Sequence, residues 1–385
     1  MTRTQIIVGL VLLGLLALGV WAVRGGPSPV PISPSSPSHE SPTPPEPTTT
    51  TPKTGAPTTT TVPPPARTQN QARAGFATGY VALTESDADL ARDLDAVVKT
   101  GAQWVRFDFD WSFIQRGGPT SFDWSATDRV VNAVHVRDLS VVALPTYTPE
   151  WARPRGTSDK RPPSNPQDFA NFVAAAARRY APQGVRVWEI WNEPNVSQFW
   201  QHPDPAVYTR LLQASAVALR AVAPGMTILT GGVAPASDSR SSVSPVRFVE
   251  GIYDAGGRAS FDAVAVHPYT FPDDPTTRVS SNAFLQTRDI HSVMTAHGDG
   301  AKLVWATEVG APTRGDASVG EETQARWLQE YFTIWNSWPW TGPMLWYSIR
   351  DVSAASEQQD AFGLLRASGA AKPAYTVFGR LMATP

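Results

Sequence analysis

Cysteine is absent from the 385 residues, which excludes a disulfide framework, a thiolate metal site and a cysteine nucleophile. Charge of either sign is scarce in excess: the formal net charge is −2, with lysine and arginine scattered along the chain. A nucleic-acid-binding role therefore has nothing to rest on. No Gly-rich phosphate loop follows the first strand-like run, which argues against a dinucleotide-binding doubly wound sheet, the main alternative for an alternating chain. Histidine is sparse at six, and His291 and His297 are spaced so that they share no helix face and read as surface residues. No metal site and no cofactor are expected.

What is present divides into three zones. Residues 6 to 23 are uncharged and apolar, flanked by Arg3 and Arg24. As a helix they would span about 27 Å, close to the roughly 30 Å core of a bilayer. Trp21 and Val23 crowd the place where a signal-peptide cleavage site would lie, so residues 1–24 read as an uncleaved membrane anchor in preference to a cleaved signal. Residues 25–73 are almost entirely proline, serine and threonine, a disordered linker with too little apolar surface to fold. Such tracts serve as plain spacers or as O-glycan acceptors, and either suits an extracytoplasmic location, membrane-anchored or secreted.

Residues 74–385 alternate short runs rich in Val, Ile and aromatics with longer amphipathic stretches. Strands are expected at 75–81, 104–109, 141–147, 187–192, 227–232, 263–269, 303–308 and 344–349. Helices are expected near 87–99, 126–137, 167–180, 205–222, 245–255, 283–296 and 321–335, with a last one after Pro373. Asn165-Pro166 and Asp204-Pro205 each put a capping side chain before a first-turn proline. Eight strand and helix units in alternation predict an α/β fold, a (β/α)8 TIM barrel.

Chemistry on such a barrel sits at the C-terminal strand ends. These ends supply Arg106, Asp108 and Asp110; Tyr147; Asn192 and Glu193; His267 and Tyr269; Glu308; and Trp346 with Arg350 and Asp351. Glu193 and Glu308 end the fourth and seventh strands, where a barrel brings them face to face. Two carboxyl groups about 5–5.5 Å apart cleave a glycosidic bond with retention, and a gap of about 6.5–9.5 Å would indicate inversion.

The run Trp188-Glu189-Ile190-Trp191-Asn192-Glu193-Pro194-Asn195 resembles the fourth-strand signature of clan A glycoside hydrolases, and Trp305-Ala306-Thr307-Glu308-Val309-Gly310 resembles the nucleophile segment of the seventh. His267-Pro268-Tyr269 and Phe362-Gly363-Leu364 before Lys372-Pro373 extend the likeness through most of 75–385. Within the clan the chain is most similar to family 39 and related bacterial exopolysaccharide hydrolases, with family 5 cellulases as close competitors.

The resemblance implies a retaining glycosidase on an oligosaccharide or polysaccharide, with Glu193 as acid/base and Glu308 as nucleophile. It also implies that Asn192 bonds the sugar 2-hydroxyl, Tyr269 orients Glu308, Arg106 keeps Glu308 ionised, and Trp346 is the stacking platform. Glu193 should be raised in pKa by burial and by the charge on Glu308. Of the 14 tryptophans, 13 fall in this zone, and Trp111, Trp151 and Trp200 in the loops are expected either in neighbouring subsites or in packing.

Each residue also has a bland reading. Arg106 could pair with Asp108 or Glu308 as plain structure. Tyr147 could line the cleft or fill the core, and His267 could touch substrate or support Tyr269. Glu189, four residues before Glu193, should point to the same face about 13 Å deeper and serve as a buried structural carboxylate. Two other functions keep the same scaffold: a non-catalytic glycan-binding barrel, which would dispense with one carboxylate, and a transglycosylase, which differs only in acceptor.

Overall fold

The computed structural model describes residues 73–354 and 357–383. The expected anchor and the linker up to residue 72 lie outside the described residues. Among the described residues no helix is long and apolar enough to cross a membrane.

All eight expected strands form: β1 (Ala74–Gly79), β2 (Trp104–Asp110), β3 (Ser140–Thr146), β4 (Val187–Asn192), β5 (Thr227–Gly232), β6 (Ala263–Val266), β7 (Leu303–Val309) and β8 (Thr341–Tyr347). They pair in chain order, each parallel to the next, and β8 returns to β1 to close a barrel. The long crossovers that parallel pairing requires are the helices α1 (Asp87–Thr100), α2 (Ser125–His135), α3 (Pro166–Tyr180), α4 (Pro205–Val222), α5 (Pro245–Asp254), α6 (Ala283–Ala296) and α7 (Glu321–Ser337). A final helix, α8 (Pro373–Ala383), follows the long loop after β8. This is the (β/α)8 barrel expected.

Local chemistry sets the helix starts. Asn165 accepts from Gln167 N–H at 3.1 Å and Asp204 from Ala206 N–H at 2.8 Å and Val207 N–H at 3.1 Å. Each such cap contributes about 1 kcal/mol. Strand bounds differ from expectation chiefly at β6, which ends at Val266: the Tyr269 N–H turns back to the His267 carbonyl at 2.9 Å and so leaves the sheet. The strand β8 lies earlier than expected, ending at Tyr347.

Alternation along each strand sorts its side chains into two cores. The barrel interior holds Ala77, Val142, Val187, Leu229, Ala265, Trp305 and Leu345, with Trp104 and Tyr347 packed against them. The larger core, between strands and helices, takes the opposite faces: Phe76, Phe107, Phe109, Trp188, Ile190, Val264, Val304 and Trp346 among others. On β2 this leaves Arg106 and Asp108 directed with Trp104 into the barrel, toward its C-terminal mouth.

Candidate active site

The centre of the mouth is Arg106, whose guanidinium is completely buried. Its Nε and Nη2 donate to the two oxygens of Glu189 at 2.6 and 3.0 Å, Nη1 to Glu308 at 2.5 Å, and Nη2 also to Asn192 Oδ1 at 2.9 Å. A planar fork with five donors is the side chain suited to such shared duty. Of the two bland partners, Glu308 is engaged and Asp108 is not. Glu189 is further held by the Gly232 N–H at 3.0 Å and the Thr307 hydroxyl at 3.1 Å. Burial alone would raise its pKa, but the Arg106 charge and hydrogen bonds, with His267 acting in the same sense, outweigh burial and hold it at about 2.

Glu308, at the end of β7, takes Arg106 on one oxygen and the Tyr269 hydroxyl on the other at 2.8 Å. Glu193 follows β4 with φ of +43°, its N–H bonded to Gly232 O at 3.1 Å. Behind it Asn195 pins the loop, exchanging bonds with the Ala234 backbone and donating to Val243 O. Glu193 Oε1 lies 2.8 Å from His267 Nδ1, and His267 Nε2 lies 3.2 Å from Thr307 Oγ1 and 3.7 Å from Glu189.

One imidazole therefore bridges Glu189 and Glu193, which corrects the expected depth of about 13 Å between them. The expectation assumed regular alternation, whereas Trp191 and Glu193 both adopt positive φ and swing Glu193 out of strand geometry. The His267 ring has its seat because residue 232 is glycine: a Cβ there would collide with the ring's Nε2 and with Thr307 Oγ1.

Burial raises the Glu193 pKa, the Glu308 charge adds to this, and the His267 hydrogen bond and charge oppose it. For His267, burial favours the neutral ring but is outweighed by the Glu308 charge, the nearby Glu189 carboxylate and the bond to Glu193, so its pKa rises to about 9. Ligand atoms of Glu193, His267 and Glu308 all lie within 4.8 Å of one another. This is a cluster of metal-ligating types that the sequence reading did not foresee, because it is assembled from three strands. The buried Arg106 charge against Glu308 opposes a cation there.

A pair of strand-end glutamates on β4 and β7 with an arginine from β2 beneath them is thus on view, and comparison with known proteins gives it a family. The model for cellulase (glycosyl hydrolase family 5) matches residues 68–344. The chain belongs to glycosyl hydrolase family 5. Among solved structures, this family 5 barrel is similar to a family 39 glycoside hydrolase from Bacteroides cellulosilyticus WH2, at 21% identity and TM-score 0.66, covering 82% of this chain and 64% of that one. It is also similar to GH5_18 from Streptomyces cattleya, at 19% identity and TM-score 0.62, covering 81% of each chain.

A shorter match, 30% identical over 115 residues, relates 28% of this chain to 22% of a β-xylosidase of Geobacillus stearothermophilus. The chain thus spans under a quarter of that curated relative, and just under two thirds of the Bacteroides enzyme. Families 39 and 5, the two anticipated, both appear.

One aromatic expectation fails in this family 5 barrel. Trp346 is completely buried in the outer core, its Nε1 bonded to Phe362 O at 3.1 Å and its ring edge-on to Tyr331. It is no stacking platform, because strand parity turns it toward the helices and turns its neighbour Tyr347 inward, into electrostatic range of Glu308. Of the two readings open for the loop tryptophans, Trp111 and Trp200 take packing, being fully buried, and only Trp151 of the three is partly exposed.

Tyr147 has φ of +63° and lies under Lys160, whose Nζ is 3.0 Å from the ring centroid. The 153–166 segment folds back on the end of β3, bonding Thr148 through Asp159 O and Arg161 O. His267 has no exposed surface, so it meets Glu193 instead of substrate, and it does not bond the Tyr269 hydroxyl. His291 and His297, expected on the surface, are half-buried, stacked on Trp340 and Tyr253.

A pH prediction follows from the His267 contact. His267 lowers the Glu193 pKa, so with Glu193 in its expected role of proton donor, His267→Gln, which carries no charge, should move the basic limb of kcat/KM to higher pH, since that limb would report loss of the Glu193 proton. A pH profile on an aryl glycoside reads this. A limb that stays put or moves down would uncouple His267 from the group that the limb reports.

Proposed function

We propose that this glycoside hydrolase is a retaining β-glycosidase, cleaving O-glycosidic bonds of an extracellular or cell-envelope polysaccharide through a covalent glycosyl-enzyme intermediate. The observation that carries the reading is the carboxylate gap: an oxygen of Glu193 lies within 4.8 Å of one of Glu308. Inversion needs room for a water between the groups, about 6.5–9.5 Å; retention needs about 5–5.5 Å.

Glu193 and Glu308 differ in surroundings as the two roles require. Glu308 accepts from the Arg106 guanidinium on one oxygen and from the Tyr269 hydroxyl on the other, which fix its orientation for attack on the anomeric carbon. Glu193, buried and raised in pKa, keeps a proton to give the departing oxygen. Once Glu308 forms the glycosyl ester its charge is gone, one of the influences raising Glu193 disappears, and Glu193 can take a proton from the water that frees the sugar. Asn192 accepts from Arg106 on its Oδ1, which supports the role of its amide N–H as donor to the 2-hydroxyl.

The β-xylosidase relative puts β-xylosides first among substrates to try. An apolar N-terminal stretch followed by a Pro/Ser/Thr tract supports a location outside the cytoplasm, tethered or secreted. Proton NMR of a hydrolysed aryl β-glycoside tests the mechanism: the β-anomer should form first and then mutarotate. An α-anomer as first product would replace retention with inversion.

A further inference from the structure

Asp108 stands at the mouth of the barrel without a structural duty. It lies on the inward face of β2 one pleat beyond Arg106 and is 5% exposed. Among the described residues it makes no hydrogen bond and no ion pair. Every neighbour that could serve it is engaged elsewhere. Arg106 is spent on Glu189, Glu308 and Asn192. Lys160 is held by Asp159 at 3.1 Å and over the Tyr147 ring. Asp110, the other carboxylate of the strand, caps the short helix Trp111–Ile114 and accepts from Ser112 at 2.6 Å.

A carboxylate at the mouth that no protein donor satisfies leaves its lone pairs to water or to an arriving ligand. Its oxygens are not among the polar atoms sealed from solvent. The groups that feel its charge, Tyr147 on the β3 side and Tyr347 on β8, together with Glu308 on β7, ring the place where the sugar must sit for Glu308 to attack.

We propose that Asp108 selects the glycon: its carboxylate accepts hydrogen bonds from hydroxyls of a neutral sugar seated against Glu308, and repels a sugar that carries a carboxylate of its own. The assignment rests on the glycosidase reading above. Its surroundings agree in sign. Burial, with Asp110 and Glu308 adding to it against Arg106 and Lys160, raises the Asp108 carboxyl to about 7. A uronate would bring further negative charge to a place that already resists it.

The test uses the full-length protein and 4-nitrophenyl β-D-glycosides of glucose, galactose, mannose, xylose, glucuronic acid and galacturonic acid. For the Asp108→Asn variant, kcat/KM on the neutral glycosides should fall about 10- to 150-fold, the range for losing hydrogen bonds to a charged group. The uronides should lose less, so that the uronide-to-neutral ratio rises about tenfold or more. Equal loss on both classes, or none, overturns the proposal.

Fold is controlled by the melting temperature. The Asp108 pKa lies above its unfolded value near 3.8, so the folded state is favoured by protonation at low pH and loses that advantage as pH rises through 7. Asparagine removes the cost, and the variant should melt no lower than wild type at pH 8. A lower melting point with uniform loss of activity would make Asp108 merely structural.

The same panel titrated calorimetrically into Glu308→Gln, with and without Asp108→Asn, separates the two readings. Neutral sugars that bind in an Asp108-dependent way without turnover by wild type overturn the glycosidase and keep the selector. Neither binding nor turnover overturns both.

Discussion

Glu308→Ala should lower turnover by at least about a thousandfold, and sodium azide should restore much of it. The reasoning is geometric. Truncation leaves a small space beside the Arg106 guanidinium and the Tyr269 hydroxyl, the two groups that hold the carboxylate in the intact protein. An azide ion is small and anionic enough to enter it and attack the anomeric carbon from the same side. Glu193 remains in place to protonate the leaving oxygen, so the product should be a glycosyl azide of inverted configuration, identified by NMR. Full activity in the variant would sink the assignment of Glu308, and a retained-configuration azide would exchange the roles of the two glutamates.

The second large effect concerns stability as well as rate. Arg106→Met keeps the bulk of the side chain but leaves Glu189, with no exposed surface, and Glu308 without their cation. Removing one partner of a buried ion pair costs about 3–5 kcal/mol, here roughly a 5–15 °C fall in melting temperature. The pH dependence has a definite sign. Glu189 is depressed from 4.5 to about 2, so its contribution is complete above pH 4.5 and is lost as pH falls toward 2. The stability gap between wild type and variant should narrow across that interval. Adding Glu189→Gln to Arg106→Met should recover part of the stability and none of the activity, because Glu308 still lacks its cation. Melting curves and kinetics on the three proteins check this, and a variant that melts within about 1 °C of wild type would refute it.

Arg106 and Glu189 were each singled out in the sequence, the one at a strand end and the other as a buried structural carboxylate, but their pairing was not, and the limits of that legibility are physical. Eight strands were readable because a parallel barrel buries both faces of each, giving runs such as Val187–Asn192 that stand out against amphipathic helices. Glu193 and Glu308 were picked out because their motifs resemble clan A signatures and fall at strand ends, where barrel chemistry gathers.

What was not readable depends on parity and backbone conformation. Trp346 and Tyr347 are adjacent aromatics at the end of β8, and which of them faces the barrel is a matter of register against β1 and β7, set by pairs such as Phe76 with Trp346. The nearness of Glu189 to Glu193 arises from two positive-φ residues, Trp191 and Glu193, neither a type that announces such a conformation. A residue such as Asp108 is notable for bonds it does not make, and no linear pattern records those.

The bonds around Glu189 have a further consequence. Arg106 on β2, Glu189 on β4, Gly232 on β5 and Thr307 on β7 are fastened to one another directly beneath the carboxylate pair. They form a cross-brace across the barrel, one layer below anything a sugar can reach. Loops above it can lengthen, shorten or change composition without that strain reaching the spacing of Glu193 and Glu308. Substrate range can therefore vary in the loops while the cleavage geometry is held by a layer that takes no part in choosing the sugar.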